Sequence, residues 1–128
     1  ADHQILSDDL SREPLGPGVR KGDDQWFDVN RWILNALIAA EELGITTENA
    51  ATLAASGTSA AKHLLGSEGD IGGQLGIRRS WGLDIVREVG NYGELFERNL
   101  GVAKGLGLER HHNQLWSHGG LIYAPAVF

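Results

Sequence analysis

Across residues 24–43, apolar side chains recur at Val29, Trp32, Ile33, Ala36, Leu37 and Ala40, with Asp28, Arg31, Asn35 and Glu42 between and around them. Steps of three and four match the 3.6-residue helical repeat and predict an amphipathic helix. Asp23 and Asp24 place carboxylates where the first-turn N–H groups lack partners. Gly44 supplies a left-handed stop, and Ile45 is placed to fold back on the last turn. Thr46 or Thr47 is expected to cap a second, alanine-rich helix ending near Ala55. Thr58 is expected to cap a third over residues 59–65, closed by Gly66. Residues 67–79 are glycine-rich, and their apolar positions Ile71, Leu75 and Ile77 predict a single tight turn of helix. After Ser80, a predicted cap, Ile85, Val89, Tyr92, Phe96 and Leu100 keep one helical phase through Gly90 and Gly93. That phase predicts one helix to about Asn99, at a cost of ~1 kcal/mol for each interior glycine. The glycines are expected to let another backbone approach closely.

The ends of the chain read differently. His3-Gln4-Ile5-Leu6 is short enough for a strand, and residues 11–20 hold two of the three prolines, Pro14 and Pro17. Proline cannot donate to a central ladder, so this stretch is an extended connector or an edge strand. Lys21-Gly22-Asp23-Asp24 is a turn. After Gly101 the chain is loop-like, with a short extended segment expected at Leu121-Ile122-Tyr123-Ala124. No internal repeat is visible. The predicted chain is mainly helical.

Composition narrows what such a chain does. Its 128 residues suit one domain. With no Cys there is no disulfide framework, thiolate zinc site or cysteine nucleophile. It also lacks Met and begins with Ala1, from which processing or excision from something longer is expected. Lys plus Arg number 11 against 17 Asp plus Glu, a net charge of −6. That balance argues against nucleic acid, which needs clustered cations, and against an anionic membrane surface. The longest apolar run, residues 32–40, is interrupted by Asn35 and falls far short of the ~20 residues that span a bilayer. Glycine, 18 of 128 residues, is about twice its usual ~7% share.

Candidate chemistry is sparse. His111, His112 and His118 cluster near the C-terminus, with His3 and His63 elsewhere, but no pair has the i, i+4 spacing of a helical metal site with an acidic partner. Capping or solvated histidines are expected, and no metal or cofactor. Gly69-Asp70-Ile71-Gly72-Gly73 and Gly105-Leu106-Gly107 lack the Walker and dinucleotide-binding patterns and read as turns. Glu88, Glu94 and Glu97 could in principle supply two carboxylates for glycoside hydrolysis. Solvated or ion-paired roles beside Arg87 and Arg98 are the commoner outcome. Ser117 and His118 are too close for a triad, and no nucleophile elbow is present. Of Trp26, Trp32, Trp81 and Trp116, Trp32 and Trp81 are expected in the core.

Several segments, in order, carry a family resemblance. They are Glu13-Pro14-Leu15-Gly16-Pro17-Gly18-Val19-Arg20, Gly22-Asp23-Asp24-Gln25-Trp26-Phe27-Asp28-Val29, and Ala40-Glu41-Glu42-Leu43-Gly44-Ile45-Thr46. Then come Val89-Gly90-Asn91-Tyr92-Gly93-Glu94-Leu95-Phe96-Glu97-Arg98-Asn99-Leu100-Gly101 and Leu115-Trp116-Ser117-His118-Gly119-Gly120-Leu121-Ile122-Tyr123-Ala124-Pro125. Together they resemble the C-terminal part of the general L-amino-acid-binding periplasmic proteins of ABC importers. The resemblance implies an α/β parent fold, the type II periplasmic binding protein with two lobes and a ligand cleft between them. Within that parent this chain is expected to be mainly α-helical with two or three short strands. Residues 1–9 would be the tail of lobe two, 10–22 the interlobe crossing or edge strand, and 23–128 the C-terminal helical part of lobe one.

By the same resemblance the function is capture of polar amino acids or small peptides for an ABC permease in the inner membrane, in the periplasm and without catalysis. The family's ligand residues are expected upstream of Ala1, so neither Glu13 nor Asp70 is assigned a contact. Apolar faces left uncovered are expected to pair with a missing N-terminal half or to self-associate. Two other classes compete. One is a free-standing helical interaction module docking through the helix of residues 26–43. The other is a small hydrolase using Glu94 or the C-terminal histidines.

Overall fold

The computed structural model describes residues 3, 4, 6, 8, 10, 11, 13, 15–102 and 105–126. Helices dominate: α1 (Asp24–Glu42), α2 (Ala50–Ser56), α3 (Ser59–Leu65), α4 (Ile71–Gln74), α5 (Trp81–Val89) and α6 (Tyr92–Leu100). Among the described residues, 3-10 turns follow at His111–Asn113 and Trp116–His118. The extended pairing among the described residues is one parallel bridge, Leu115 to Ile122.

Helix α1 forms for the predicted reasons. The Asp23 carboxylate accepts from the Trp26 N–H, and the chain leaves the helix at Gly44 in the left-handed region, φ +65°. The Ile45 N–H then reaches back to Ala40 O at 2.8 Å, and Ile45 is fully buried. Val29, Ala36, Leu37 and Ala40 of the predicted stripe are buried, but so are Ile38 and Ala39. The last turns of α1 are therefore enclosed on more than one side, because this helix packs against α3, α5 and α6. Its C-terminal half is thus taken up internally, while Trp26 and Phe27 in its first turns stay exposed.

Helix α3 matches its predicted bounds, with the Thr58 hydroxyl accepting from Ala61 N–H and Gly66 as a left-handed cap. Helix α2 starts later than expected, at Ala50. Thr46 and Asn49 first close a reciprocal turn, Thr46 N–H to Asn49 Oδ1 at 2.8 Å and Asn49 N–H to Thr46 Oγ1 at 3.4 Å. Helix α4 is the single turn expected of the glycine-rich segment, capped by Asp70. Ser80 precedes α5 as predicted, but its hydroxyl donates to Asp84 Oδ2 at 3.0 Å instead of capping the backbone.

The long helix expected from Ser80 to Asn99 is instead two helices. Gly90 adopts φ +82° and ψ −177°, a conformation that an L-residue would hold only under strain. Asn91 then opens α6 with a capping box: its Oδ1 accepts from Glu94 N–H, and Glu94 Oε2 accepts from Asn91 N–H, both at 2.9 Å. The buried Asn91 also donates from Nδ2 to Ile45 O at 2.8 Å, tying the break to the end of α1. The apolar phase continued across the break, but a glycine stop and a satisfied cap outweighed it.

The core cluster gathers Ala36, Ala40, Ile45, Leu64, Leu65, Trp81 and Val86, with Trp32 packed against it. One backbone approach is very close. A Cβ on Gly82 would lie 1.9 Å from Leu64 O, so α5 crosses the end of α3 only because that position has no side chain. Among the described N-terminal residues, His3, Gln4 and Leu6 have no regular structure, and Ile5 of the expected strand lies outside the described residues. Residues 15–20 are likewise irregular and mostly exposed, as an extended connector would be, while Pro14 lies outside the described residues.

Candidate functional site

Two features draw the C-terminal segment onto the helices. The first is a clamp on Arg110. Glu41, on the last turn of α1, receives two hydrogen bonds from its guanidinium, Nη1 to Oε1 and Nη2 to Oε2, the latter at 3.0 Å. Both side chains are largely withdrawn from water, 13% exposed for Arg110 and 14% for Glu41. Arg110 also donates to Asn113 O from Nε and Nη2, and its guanidinium carbon lies 5.5 Å from the Tyr92 ring centroid and 5.7 Å from that of Phe96. Gly93 makes room for the clamp, since a Cβ there would sit 2.9 Å from Glu41 Oε1 and 3.0 Å from Arg110 Nη1. The expected close neighbour of this glycine is thus an ion pair, not a backbone.

The second feature is an open cleft of about 600 Å³ lined by Glu42, Trp116, Ser117, Tyr123 and Ala124. Two backbone bonds shape its wall, Trp116 N–H to Ile122 O at 2.8 Å and Ile122 N–H to Gln114 O at 3.1 Å. Ala124 N–H donates to Glu42 Oε1 at 3.4 Å, holding the strand-like end against α1. Trp116 is 65% exposed and Tyr123 67%. A smaller groove of about 180 Å³ runs between Pro17 and Val19 on one side and Phe27, Asn30, Arg31 and Leu34 on the other. Exposed Trp26 and Phe27 lie at that end of α1.

The residues singled out in the sequence do not converge. Glu94 is occupied by the α6 cap and also accepts from Thr47 N–H at 3.2 Å. Glu97 Oε1 accepts from Val102 N–H at 2.9 Å, and Arg98 donates to Val89 O at 2.8 Å. These glutamates satisfy backbone donors and are not paired as catalytic carboxylates. Asp70 caps α4, and Gly69 and Gly105 lie in turns of positive φ. His111 borders a 3-10 turn with φ +43°, and His118 ends the next one. Trp81 is buried and Trp32 partly so, as expected, whereas Trp26 and Trp116 face water. Among the described residues no group of three or more His, Asp or Glu could hold a metal ion, and no helix is long and apolar enough to cross a membrane.

One cluster was not foreseen. Ser59 Oγ donates to Glu68 Oε2 at 2.9 Å, and His63 Nδ1 lies 3.3 Å from Ser59 Oγ and 3.5 Å from Glu68 Oε2. Hydroxyl and carboxylate meet the same ring nitrogen, so the imidazole cannot relay a proton between them as a triad requires. The Ser59 hydroxyl holds the Glu68 carboxyl below its ordinary range; desolvation opposes it, and Lys62 and then His63 add further lowering. The cluster pins the turn after α3. The i, i+4 spacing of Ser59 and His63 was its only trace in the sequence.

Comparison with known proteins gives the site its context. No protein-family model matches the chain. It is 49% identical over 128 residues to the general L-amino acid-binding periplasmic protein of Rhizobium johnstonii, covering 98% of this chain and 38% of that protein. It is 47% identical over 126 residues to the glutamate/glutamine/aspartate/asparagine-binding protein of Rhodobacter capsulatus, covering 98% of this chain and 37% of the relative. Among solved structures it is similar to an ABC transporter periplasmic binding protein from Brucella ovis with glutathione bound. That match has a TM-score of 0.82 and 46% identity over 86% of this chain and 35% of that one. The chain therefore spans less than two fifths of the length of the curated relatives it matches, and it resembles their C-terminal part. The solved neighbour has the type II periplasmic binding protein fold, of which this mostly helical chain corresponds to a portion.

Proposed function

We propose that this chain serves as the C-terminal part of the solute-binding protein of an amino-acid ABC importer. The carrying observation is the similarity itself, 46% identity with a TM-score of 0.82 to a solved binding protein. On this reading residues 1–9 belong to lobe two, residues 10–22 cross between lobes, and residues 23–128 complete lobe one. The irregular, exposed run of residues 15–20 and the continuous helical packing from α1 onward support that division. The whole protein works in the periplasm, closes its lobes on ligand and hands it to a permease in the inner membrane, without covalent chemistry.

The ligands are polar amino acids or small peptides. The printed names of relatives support this, one a binder of glutamate, glutamine, aspartate and asparagine, another carrying the tripeptide glutathione. The groups that hold the ligand's carboxylate and ammonium lie on the part of the protein upstream of Ala1. The exposed Trp26, Phe27, Leu121 and Tyr123 mark faces that the rest of the protein covers, or that self-associate without it. Calorimetry of the full-length protein against the polar amino acids and glutathione tests the function. Saturable binding of at least one of them is expected, and none with any would overturn the reading.

A further inference from the structure

The C-terminal segment makes its backbone hydrogen bonds with itself. The N–H groups of Gln114, Trp116, Gly120, Leu121 and Ile122 all donate to carbonyls within residues 110–122, at 2.8–3.1 Å. The chain folds back tightly there, since a Cβ on Gly120 would lie 1.9 Å from Gln114 O. These backbone bonds shape residues 110–122 but do not seat them on the helices.

Side chains do the seating. Leu115 is buried, and the Tyr92 hydroxyl donates to Asn113 Oδ1 at 3.4 Å. The remaining tie is Arg110. Its guanidinium meets both Glu41 carboxylate oxygens and lies 5.5 Å and 5.7 Å from the ring centroids of Tyr92 and Phe96. Asn113 O accepts from its Nε and Nη2, and Gly93 leaves the space that the pair occupies. A carboxylate met bidentately beside two rings suits a planar guanidinium. An ammonium offers neither the fork nor a face that stacks. All these partners lie in this chain, and the pair is only 13% and 14% exposed, so the contact stands whatever covers the segment from outside.

We infer that Glu41, Tyr92, Phe96 and the Asn113 carbonyl form a guanidinium-specific site whose resident ligand is Arg110, and that occupancy of this site sets residues 110–122 on α1 and α6. Arg110 is then a positioning residue for the Trp116–His118 turn and the Leu115–Ile122 bridge. Once the arginine side chain is truncated, the site takes a free guanidinium in its place. Because Asn113 O belongs to the seated segment, a guanidinium bound there favours the docked arrangement. The site does not depend on the transport reading.

The test is hydrogen exchange of the full-length protein, read by mass spectrometry on peptides spanning residues 113–122. Arg110→Ala should lower their protection at least about tenfold, equivalent to ~1.4 kcal/mol. Arg110→Lys keeps a cation but not the planar fork, and its protection should lie closer to that of Arg110→Ala than to that of the unmodified protein. Methylguanidinium added to Arg110→Ala should raise protection saturably, by about threefold at twice its dissociation constant. Methylammonium at the same ionic strength should not, and the unmodified protein, its site filled, should respond to neither. If Arg110→Ala does not fold, Arg110→Lys decides the specificity. Protection unchanged in Arg110→Ala, Arg110→Lys behaving as the unmodified protein, or methylguanidinium acting no better than methylammonium would overturn the proposal.

Discussion

Replacing Arg110 with Ala removes the group that ties the C-terminal segment to α1 and α6. The Glu41 carboxylate would be left 14% exposed with no cation, and Asn113 O would lose both its guanidinium donors. Removing one member of a buried pair costs about 3–5 kcal/mol, and the loss of ring contacts adds ~0.5–1 kcal/mol for each ring. The remaining access to water pulls the ion-pair contribution below that range, so about 3 kcal/mol in all is expected. Against a typical domain stability of 5–15 kcal/mol that is a large share. Urea denaturation followed by circular dichroism measures it. With a slope of about 1–3 kcal/mol/M, the midpoint should fall by ~1–3 M. Arg110→Met combined with Glu41→Leu should recover most of the loss, because two apolar side chains leave no charge unpaired. Strict additivity of the two single changes, or a cost below ~1 kcal/mol for Arg110→Ala, would show that the pair behaves as a surface contact and would refute the reasoning.

Other perturbations follow from the same geometry. Asn91→Asp keeps the acceptor that caps α6 but replaces the amide that donates to Ile45 O with a carboxylate oxygen. The helix dipole returns ~0.3–1 kcal/mol, less than the 1–3 kcal/mol of an unsatisfied buried group, so net destabilisation by ~1–2 kcal/mol is expected in urea melts. Gly82→Ala puts a Cβ 1.9 Å from Leu64 O and should cost ~3 kcal/mol or more by thermal melting, whereas Gly16→Ala, with nothing within 4 Å, should stay within about ±0.5 kcal/mol. The Glu68 carboxyl, held low chiefly by the Ser59 hydroxyl, should titrate below its ordinary 4.5 in carbon-detected NMR, and Ser59→Ala should move it back up. Because the folded value is depressed, its contribution to stability is present above the unfolded value and fades as pH falls through the folded one. A midpoint at or above 4.5 in the unmodified chain would contradict that assignment.

Local signals were the legible ones. Helices α1 and α3 could be read because their stops and caps are short-range: Asp23 before, Gly44 after, Thr58 before, Gly66 after. The break at Gly90 was written in the same code, a glycine followed by Asn91 and Glu94. An apolar period that runs from Ile85 to Leu100 masks it. Periodicity reports which side of a segment is buried, and two consecutive helices can keep one phase. The Glu41–Arg110 clamp was invisible because its members are 69 residues apart and neither belongs to a periodic pattern. The cleft at Trp116 and Tyr123 likewise depends on the Leu115–Ile122 bridge, a pairing that no local composition announces. Function was legible only through resemblance, since the glutamates and histidines that could suggest catalysis serve mainly as caps or lie apart.

On the proposed function, this chain completes one lobe of a binding protein whose ligand-holding groups lie elsewhere. The most direct measurement is calorimetry on three samples: this chain, the separately produced remainder of its parent protein, and the two mixed in equal amounts. Each sample would be titrated with the ligand that the full-length protein binds. The prediction is a one-to-one complex in the mixture that binds ligand, with no ligand binding by this chain alone. Ligand binding by this chain alone, or two pieces that neither associate nor bind together, would contradict it.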